Sequence, residues 1–401
     1  MAKFRTLDDI DVHGKRVLLR ADLNVPVKDG VVTDATRIER LAPTIEALID
    51  NGAKVIVMSH FGRPQGPDPA LSLEALAGAL GKAIGGRKVA FAKDCIGDEA
   101  TGVVAALQPG QVALLENLRF HKGEEANAPE FARALAELGD VYVDDAFSAA
   151  HRAHASIEAV ARLLPAAAGK LMEAELGALT AALETPKRPV LALVGGAKVS
   201  TKLDLLRFLI SKVDVLTIGG AMANTLLLAE GKEVGRSLCE RNMTETARQI
   251  LTLARERNCR VILPEDAVTA PELAPGTKTQ EVAIGAVPPD AMILDIGPKT
   301  AARICNALEE ARTLVWNGPL GAFETQPFDC GTIAVARKVA ELTGAGKLLS
   351  VAGGGDTVAA LAAAGVIDEL SYVSTAGGAF LEWLEGRELP GVAALVAAAC
   401  R

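Results

Sequence analysis

Aromatic residues are scarce in this chain. They make up 3% of its 401 residues, whereas hydrophobic residues of all kinds make up 50%. Proteins that bind single-stranded nucleic acids stack the bases on aromatic side chains, so this composition argues against that class. The formal net charge of −8 argues against nucleic acid and against an anionic membrane surface as partners. The hydrophobic cores must therefore consist mainly of Ala, Val, Leu and Ile.

Paired cysteines and long apolar runs are absent as well. In a chain of this size without an export signal, buried and reduced thiols are favoured over disulfides or zinc ligands. The first nine residues lack the apolar core and cleavage site of a signal peptide, and no later apolar run is long enough to span a bilayer. We therefore expect a cytoplasmic protein. The six cysteines have no close pair at metal-ligand spacing and are Cys95, Cys239, Cys259, Cys305, Cys330 and Cys400.

Strand-like and helix-like segments alternate along the whole chain. Its 401 residues exceed the size at which one hydrophobic core keeps growing, so two domains are expected. Segments rich in Ala, Leu and Glu, such as 36–51 and 200–212, separate the strand-like runs. This pattern predicts an α/β fold with two doubly wound, Rossmann-like parallel-sheet domains. The strand-like runs are 16–19, 55–58, 89–91, 112–115, 141–143, 190–194, 215–218, 261–263, 292–294, 314–316, 348–351 and 372–374.

The region between the two halves is rich in Ala, Leu and Glu from Ile157 to Leu183. Pro165 lies near one end of this region, and a stretch with two prolines, residues 185–189, closes the other end. We predict that the region is helical and joins the two domains as a hinge. The predicted domains are residues 1–169 and 170–385.

The ends of the predicted strands differ chemically between the two halves. The ends before about residue 155 contain arginine, and those after about residue 195 contain glycine. Open α/β sheets bind ligands in the crevice outside the carboxyl ends of their strands. We therefore expect two substrates, one bound by guanidinium groups and the other by exposed backbone. The segments are 20–24, 59–64, 116–120, 195–198, 219–220, 317–319, 353–356 and 377–378.

The first of these strand ends places Asp22 and Asn24 beside Arg20, a group suited to a small polyol acid. An Asx turn closed by Pro26 explains the same residues without a ligand. The other arginines of this half favour the binding interpretation, because guanidinium recognises phosphate or carboxylate through two parallel hydrogen bonds. They follow strands or begin helices at Arg37, Arg63, Arg119 and Arg152.

Three histidines of the first half are candidates either for a general base or for supporting neighbouring loops: His60, His151 and His154. Nothing in the sequence places a proton donor or acceptor beside any of them, so both roles stay open. We assign His13 and His121 to the surface.

In the second half, Gly195 to Lys202 follow a buried strand and begin a predicted helix. Backbone N–H groups at a helix N-terminus suit an anion, and Lys198 and Lys202 would lie on one helical face. The segment is neither a Walker A loop nor a dinucleotide fingerprint. A tight turn with solvated lysines explains it equally simply.

The segment Gly353 to Thr357 combines three glycines with Asp356 and Thr357 at a helix start. The glycines permit close approach of the backbone, the carboxylate of Asp356 suits Mg²⁺, and the hydroxyl of Thr357 suits a phosphate. The alternative is that Asp356 only caps the helix, which contributes about 1 kcal/mol.

Together these motifs resemble the phosphoglycerate kinase family in order and spacing, over essentially the whole chain. The resemblance implies a Mg²⁺-dependent glycolytic and gluconeogenic enzyme. It would transfer a phosphoryl group in line and reversibly from 1,3-bisphosphoglycerate to ADP after hinge closure, giving 3-phosphoglycerate and ATP. The N-terminal domain would bind phosphoglycerate and be covered by the tail at about 386–401, and the C-terminal domain would bind nucleotide. The motifs are Arg20–Pro26, Ser59–Pro64, Leu115–Phe120, His151–Ser156, Gly195–Lys202, Trp316–Pro319 and Gly353–Thr357.

The resemblance also implies the role of each site residue. The phosphorylated acid would be bound by Asp22, Asn24, Arg37, His60, Arg63, Arg119 and Arg152. Catalysis would rest on Arg20, Lys198, Gly354 and Gly377, with the Gly355 and Gly378 amides also near the moving phosphoryl group. The nucleotide would be bound by Lys198, Lys202, Gly219, Gly220, Asn317, Glu324, Gly354, Gly355, Asp356 and Thr357. In this set Glu324 would contact the ribose, Gly219 and Gly220 would flank the adenine, and Asp356 would bind Mg²⁺.

Three positions depart from the family pattern. The family usually has glycine where this chain has Ala221 and Ala376, and many members also have glycine where this chain has Ile293. We expect altered nucleotide affinity rather than lost activity, because the charged positions are intact.

Two other functions stay open: a nucleotide-responsive binding protein without activity, and a kinase acting on another carboxylate. The cluster of arginines argues against the second function, because these side chains would require the acid to carry a phosphate. No amphipathic excess marks an interface, so we expect a monomer.

Overall fold

The computed structural model describes residues 4–28 and 30–400. These residues form two compact units. The first unit contains the chain up to Leu176 together with the segment from Glu388 onward, and the second runs from Gly177 to Arg387. Each unit is built on a six-stranded parallel sheet with helices beside it, so the predicted α/β class is confirmed.

The first unit has the strand order β5-β6-β4-β1-β7-β8. Its elements are β1 (Arg16–Arg20), β2 (Val27–Lys28), β3 (Val31–Val32), α1 (Thr36–Asp50), β4 (Lys54–Met58), α2 (Glu74–Ala83), β5 (Val89–Ala92), α3 (Gly97–Ala106), β6 (Val112–Leu115), α4 (Lys122–Glu125), α5 (Pro129–Ala136), β7 (Val141–Asp144), α6 (Val160–Leu163), β8 (Ala166–Ala168) and the beginning of α7 (Lys170–Leu183).

Strand β1 lies inside this sheet, paired in parallel with β4 on one side and β7 on the other. Val17, Leu18 and Leu19 are completely buried, as expected for a parallel sheet covered on both faces. The chain first extends the sheet on the β4 side and then crosses over to add β7. The end of β1 therefore borders the switch point at which α/β sheets open a ligand crevice.

The second unit has the strand order β11-β10-β9-β15-β16-β17 in its parallel sheet. After the end of α7, the elements are β9 (Val190–Val194), α8 (Leu203–Ile210), β10 (Val215–Ile218), α9 (Gly220–Ala229), α10 (Thr244–Glu256), β11 (Arg260–Ile262), β12 (Asp266–Ala270), β13 (Gln280–Ala283), β14 (Met292–Ile296), α11 (Pro298–Glu310), β15 (Thr313–Asn317), α12 (Cys330–Gly344), β16 (Leu349–Gly353), α13 (Gly355–Ala363), β17 (Tyr372–Ser374) and α14 (Gly378–Leu384); α15 (Pro390–Ala399) belongs to the first unit.

This second order is the Rossmann order, in which the chain starts at a central strand, builds to one side and returns to build to the other. The reversal falls between β9 and β15, which are direct neighbours. Residues 195–198 follow β9, and residues 317–319 begin at the last residue of β15. The topology therefore places two of the predicted glycine segments at the switch point.

The predicted strand at 292–294 does not belong to the parallel sheet. It forms part of β14 in a separate antiparallel sheet with the order β13-β12-β14. Met292, Ile293 and Leu294 are only half-buried, and β13 is mostly exposed. A sheet with one uncovered face suits antiparallel pairing, whereas the strands of a covered parallel sheet are buried on both faces.

The predicted continuous helix from Ile157 to Leu183 is wrong in its first half. A π-helical turn at Ala155–Ala159 leads into α6, and then β8 pairs in parallel with β7 before α7 begins. Pro165 explains the break, because the residue before a proline is driven into an extended conformation. Leu164 accordingly has φ −115° and ψ 159°. Helix α7 still joins the two units, since their boundary at 176–177 lies within it.

The six cysteines are all free thiols. Cys95 and Cys259 are buried, but Cys330 and Cys400 are exposed, so the expectation of buried thiols is wrong for these two. Within the described residues, no helix combines the length and the apolar character that crossing a bilayer requires.

The C-terminal helix α15 packs on the first unit. Gly391 donates its backbone N–H to the carbonyl of Ala150 at 2.9 Å, and Leu395 is completely buried in the contact of α15 with α6 and β8. A side chain on Gly391 would collide with Ile157 and Ala150. The tail therefore contributes apolar surface to the core of the first unit.

We predict that Leu395→Ala destabilises the first unit by about 2–5 kcal/mol, because it removes buried methyl groups and leaves a cavity. The matched control is Leu163→Ala on α6, whose side chain is 48% exposed and whose loss should change stability by less than about 0.5 kcal/mol. Urea unfolding followed by circular dichroism measures both. Equal effects of the two variants would show that the tail does not stabilise this unit.

Candidate active site

Arg20 ends β1 at the switch point of the first unit, and its side chain is only 1% exposed. Its Nε donates to Ser156 Oγ at 2.9 Å, and its Nη2 donates to His60 Nδ1 at 3.0 Å. Its Nη1 donates to the carbonyl of Ala21. A buried guanidinium is costly unless its N–H groups are bonded, and these partners bond three of its five N–H groups.

A buried carboxylate supports Arg20 through Ser156. Glu124 is completely buried on α4, and its carboxylate accepts from Ser156 Oγ at 2.6 Å and from Ser156 N at 2.9 Å. The hydroxyl of Ser156 therefore connects the negative charge of Glu124 to Arg20. Tyr142 donates its hydroxyl to the carbonyl of Ser156 at 2.8 Å and holds the same turn.

Two further arginines lie close enough to influence this group electrostatically. Arg119 is 8% exposed and donates to the carbonyl of Gly62 at 2.6 Å. Burial lowers the pKa of Arg119, and the neighbouring guanidinium of Arg152 lowers it further. The pKa of His60 lies far below its ordinary value because the ring is buried and faces Arg20, Arg119 and Arg152. These groups form an excess of positive charge around a neutral histidine.

His154 titrates in the same environment. Burial lowers its pKa to about 4, and the charges of Arg119, Arg20 and Arg152 contribute in that order. Its Nδ1 lies 3.8 Å from Glu124 Oε1. Both His60 and His154 are therefore neutral at pH 7.

Asp22 and Asn24 lie next to this charged group. Asp22 Oδ2 accepts from Arg37 Nη1 at 2.9 Å and from Ser148 Oγ at 2.5 Å. Asp22 Oδ1 accepts from Asn24 N at 3.0 Å, which is the Asx turn considered from the sequence. Asn24 Oδ1 accepts from Gly62 N at 3.0 Å. Asp22 therefore forms the Asx turn and also binds the half-exposed side chain of Arg37.

The remaining arginines of the predicted set lie nearer the solvent. Arg63 is exposed on the segment after β4, and Arg152 is half-exposed with its Nε 3.3 Å from His151 Nε2. The structure thus brings Arg20, Arg119, Arg152 and His60 together, and Asp22, Asn24 and Arg37 together beside Gly62.

In the second unit, glycine backbone rather than charged side chains lines the switch point. Gly318 has φ +104°, and a side chain there would collide with the backbone of Gly195. A side chain on Gly195 would in turn overlap Pro319, and one on Gly220, with φ +66°, would press on Gly196. The segments after β9, β10 and β15 therefore approach so closely that only glycine fits.

Asn317 and Thr357 connect these segments to the end of β16. Asn317 Nδ2 donates to the carbonyl of Gly353 at 2.8 Å. Thr357 Oγ1 accepts from Gly318 N at 2.7 Å and donates to the carbonyl of Gly353 at 2.8 Å. Thr357 is buried, so its hydroxyl holds the glycine segments together.

The two lysines of Gly195 to Lys202 do not share a helical face as predicted. Lys198 precedes the 3-10 turn at Ser200–Lys202 and is exposed. Lys202 turns back toward the sheet, and its Nζ donates to the Gly195 carbonyl at 2.7 Å and to Asn317 Oδ1 at 2.6 Å. Burial lowers the pKa of Lys202 to about 8, although the Asp356 carboxylate opposes the shift. The tight turn places the two lysines in different environments.

A pocket of about 330 Å³ opens beside these segments, entirely within the second unit. Its apolar wall includes Ala221 on α9, Ile293 on β14 and Leu320, and its polar residues include Glu324 and Asp356. Gly196, Gly220 and Pro319 contribute backbone to the lining. The pocket thus combines an apolar slot with carboxylates and peptide groups.

Asp356 does not cap its helix. Gly354, with φ 98°, occupies the cap position of α13, and no side chain makes a capping bond. Asp356 lies in the first turn with an exposed carboxylate at the pocket. Gly377, with φ 46°, takes the cap position of α14, and Ala376 before it is buried. The N–H groups of both helix starts have no capping side chain in the described structure.

Sequence reasoning missed three buried groups: Glu124, Ser156 and Asp295. Ser156 is the last residue of the motif His151–Ser156, in which only the histidines and Arg152 were considered as candidates. Asp295 lies under the pocket, where burial raises its pKa to about 7 and its carboxylate accepts from Gly331 N at 2.7 Å. A carboxylate inside the apolar run of β14 is the only sequence signal of Asp295.

Asp144, paired with Arg20 across β1 and β7, makes the stability of the first unit depend on pH. Burial raises its pKa to about 7, although the Ala146 N–H and Arg20 oppose the shift. Its Oδ2 has no hydrogen-bond partner among the described residues. Because the folded state holds this proton more tightly than the unfolded state, the resulting stability is complete below pH 3.8 and is lost as the pH rises toward about 7.

We predict that the unfolding free energy of the wild type falls by roughly 2 kcal/mol more than that of Asp144→Asn between pH 5 and pH 7. Asparagine keeps the shape and the acceptor for Ala146 N but cannot ionise. Urea titrations over this pH range test the difference. Parallel pH profiles for the two proteins would rule out a raised carboxyl pKa at this position.

The chain is similar to known proteins over nearly its whole length. The family model described as phosphoglycerate kinase matches residues 7–387. A phosphoglycerate kinase of Methylorubrum extorquens is 63% identical over 397 residues, covering 98% of this chain and 99% of the relative. A phosphoglycerate kinase of Cereibacter sphaeroides is 61% identical over 393 residues, covering 98% of this chain and 99% of the relative.

Two solved structures have a similar fold. The phosphoglycerate kinase structure from Coxiella burnetii superposes with a TM-score of 0.93 at 44% identity, covering 98% of this chain and 99% of that one. The structure from Pyrococcus horikoshii gives a TM-score of 0.78 at 32% identity, with 99% of each chain covered. On the family match and these identities, the chain belongs to the phosphoglycerate kinase family of phosphotransferases.

Proposed function

We propose that this chain catalyses reversible, Mg²⁺-dependent phosphoryl transfer between 1,3-bisphosphoglycerate and ADP, giving 3-phosphoglycerate and ATP. The main support is the contrast between two switch points. One presents clustered guanidinium groups around a neutral histidine, and the other presents glycine backbone beside an apolar pocket. The first suits a small polyanion, and the second suits the phosphates and base of a nucleotide.

In the first unit, the phosphorylated acid is proposed to bind to Asp22, Asn24, Arg37, His60, Arg63, Arg119 and Arg152. Burial lowers the pKa of His60 most, and the charges of Arg20, Arg119 and Arg152 lower it further, so positive potential is present beside this ring. Asp22 accepts from Arg37, Ser148 and Asn24 N. A carboxylate has about four acceptor sites, so Asp22 can also accept from a hydroxyl group of the ligand. The proposed ligand therefore carries both negative charge and hydroxyls.

In the second unit, the nucleotide is proposed to lie in the 330 Å³ pocket. Its base would lie in the apolar slot beside Gly219 and Gly220, and its ribose would contact Glu324. Lys198, Lys202, Asn317, Thr357 and the Gly354 and Gly355 amides would hold the phosphates. Ala221 and Ile293 both line this pocket, so their side chains are positioned to change nucleotide affinity.

Asp356 is proposed to hold Mg²⁺. Its carboxylate is exposed at the pocket and makes no capping bond. It also lies close enough to Lys202 to oppose part of the lowering of that lysine's pKa by burial. A hard oxygen donor in this position fits Mg²⁺, which takes one or two carboxylates together with phosphate oxygens. The bound ion would supply neutralisation of phosphate charge.

The proposed reaction requires no general base. The attacking group is a carboxylate with an ordinary pKa of about 4, so it is ionised at neutral pH. His60 is unsuited to proton transfer, because burial and the arginines hold its pKa far below its ordinary value and its Nδ1 accepts from Arg20. Arg20, Lys198 and the amides of Gly354 and Gly377 instead stabilise the charge of the transferring phosphoryl group.

Transfer requires the acid and the nucleotide to meet, and we propose that the units close around them through helix α7. Closure would also exclude water from the phosphoryl group. The domain roles follow: residues 1–169 with the tail at about 386–401 bind phosphoglycerate, and residues 170–385 bind nucleotide. A monomeric, cytoplasmic enzyme is part of the same proposal.

The first test incubates the wild type and Lys198→Ala with MgATP, 3-phosphoglycerate and hydroxylamine, which traps acyl phosphate as hydroxamate. We expect product from the wild type and a loss of at least ~100-fold in kcat for Lys198→Ala, because a charge-stabilising donor is removed. Lys187→Ala, which replaces another exposed lysine of the second unit, serves as the control and should retain activity.

Absence of product from the wild type, with both ligands bound in calorimetry, would overturn the proposal and favour a nucleotide-responsive binding protein. The Ala376→Gly variant then tests whether the alanine abolished activity. Hydroxamate formed equally well from unphosphorylated glycerate would favour a kinase for another carboxylate.

A further inference from the structure

Three potential metal ligands converge in the first unit, apart from the residues assigned above. Asp94 and Cys95 lie in the segment after β5, and His121 follows the 3-10 turn at Leu118–Phe120, after β6. The carboxylate, thiol and imidazole donor atoms all lie within 4.8 Å of one another. His121, which the sequence suggested was a surface residue, is half-buried.

Hydrogen bonds and packing hold the three side chains in place. Asp94 Oδ1 lies 2.6 Å from His121 Nε2 and also accepts from Cys95 N at 2.6 Å. The His121 ring is stacked on Phe131, with centroids 5.3 Å apart and an interplanar angle of 27°. The Cys95 thiol is completely buried, and its pKa is raised by burial and by the charges of Asp94 and Glu124. The environment of the sulfur is therefore negative and closed.

We propose that Asp94, Cys95 and His121 form a site for Zn²⁺ or a similar borderline-soft divalent cation. Sulfur, imidazole nitrogen and carboxylate oxygen are the donors that zinc takes in proteins, and a water molecule would complete four-coordination. Mg²⁺ prefers oxygen ligands and does not suit a thiol. This site is therefore chemically distinct from the one proposed at Asp356.

The three donor atoms lie within 4.8 Å of one another and would have to adjust their positions to hold such an ion. Zinc bonds of about 2.0–2.2 Å to nitrogen and oxygen at a tetrahedral angle separate those atoms by roughly 3.4 Å. The present separation of Asp94 Oδ1 and His121 Nε2 is 2.6 Å, that of a hydrogen bond. The cation would take the place of the proton between these two atoms, and that proton moves to His121 Nδ1 as the ring adopts its other neutral tautomer. The side chains of Asp94 and His121, which are 41% and 32% exposed, can separate by the remaining distance.

Binding would also discharge the thiol proton to solvent and leave a thiolate on the cation. A buried thiolate beside two carboxylates is unfavourable without a counter-charge, and the divalent cation supplies one. Because His121 is two residues from Arg119, the cation would tie the segments after β5 and β6 together beside the arginine cluster.

The test titrates Co²⁺, a spectroscopic substitute for Zn²⁺, into the 401-residue chain. We expect a sulfur-to-cobalt charge-transfer band in the near ultraviolet and strong visible bands of tetrahedral cobalt. Zn²⁺ should remove these bands, whereas excess Mg²⁺ should not. Cys95→Ser should abolish the charge-transfer band, and His121→Gln, which alters a half-exposed side chain, should weaken cobalt binding at least tenfold.

Cys305→Ser is the matched control, because Cys305 is a half-buried thiol outside this cluster. It should leave the titration unchanged. The proposal is overturned if the wild type shows no charge-transfer band, or if the band survives in both Cys95→Ser and His121→Gln. The readout does not depend on catalysis, so it is independent of the proposed function.

Discussion

The buried positive charge of Arg20 constrains much of the first unit. A guanidinium at the end of a central strand must have bonded N–H groups and a counter-charge, or its burial would be strongly unfavourable. The partners come from three different elements: His60 after β4, Glu124 on α4 and Ser156 in the π-helical turn. Their placement also brings the segment of Arg119 beside Gly62. Pairing of one buried charge thus helps organise the edge of the sheet where the acid is proposed to bind.

The second unit is organised by close backbone contacts rather than by a buried charge. Its switch point contains no buried arginine among the described residues, and the segments after its strands approach one another through glycine backbone. Asn317 and Thr357 bond these segments together, and Lys202 is held on the carbonyl of Gly195. This arrangement leaves peptide N–H groups and a lysine next to an apolar pocket. Rigid backbone donors are suited to stabilising charge that develops during phosphoryl transfer.

Much of the fold could be predicted because buried parallel strands have a direct sequence signal. Runs such as Val55 to Met58 and Val190 to Val194 are apolar throughout, and both appear as parallel strands. Strand β8 could not be predicted, because three alanines favour a helix and only the pairing with β7 makes them a strand. The antiparallel sheet was missed because the run at Met292 has the same composition as a parallel strand.

The clustering of candidate site residues could be predicted where one residue type recurs at strand ends, as with Arg20, Arg119 and Arg152 around His60. Candidate residues could not be predicted where their role depends on a contact between residues that are far apart in the sequence. Glu124 and Ser156 are 32 residues apart, and His121 and Asp94 are 27 apart, so no local pattern identifies either pair. Lys198 and Lys202 show the reverse case, since helical spacing was assumed where the chain forms a turn.

The central claim is that arginines of the first unit bind the acid and glycine segments of the second unit bind the nucleotide. The most direct measurement is calorimetric titration of 3-phosphoglycerate and of ADP, separately, into the wild type and Arg119→Lys. Lysine keeps the charge but loses the two-pronged guanidinium, so affinity for 3-phosphoglycerate should fall at least ~10-fold. Affinity for ADP should stay unchanged. Unchanged 3-phosphoglycerate binding, or an equal loss for both ligands, would contradict the account.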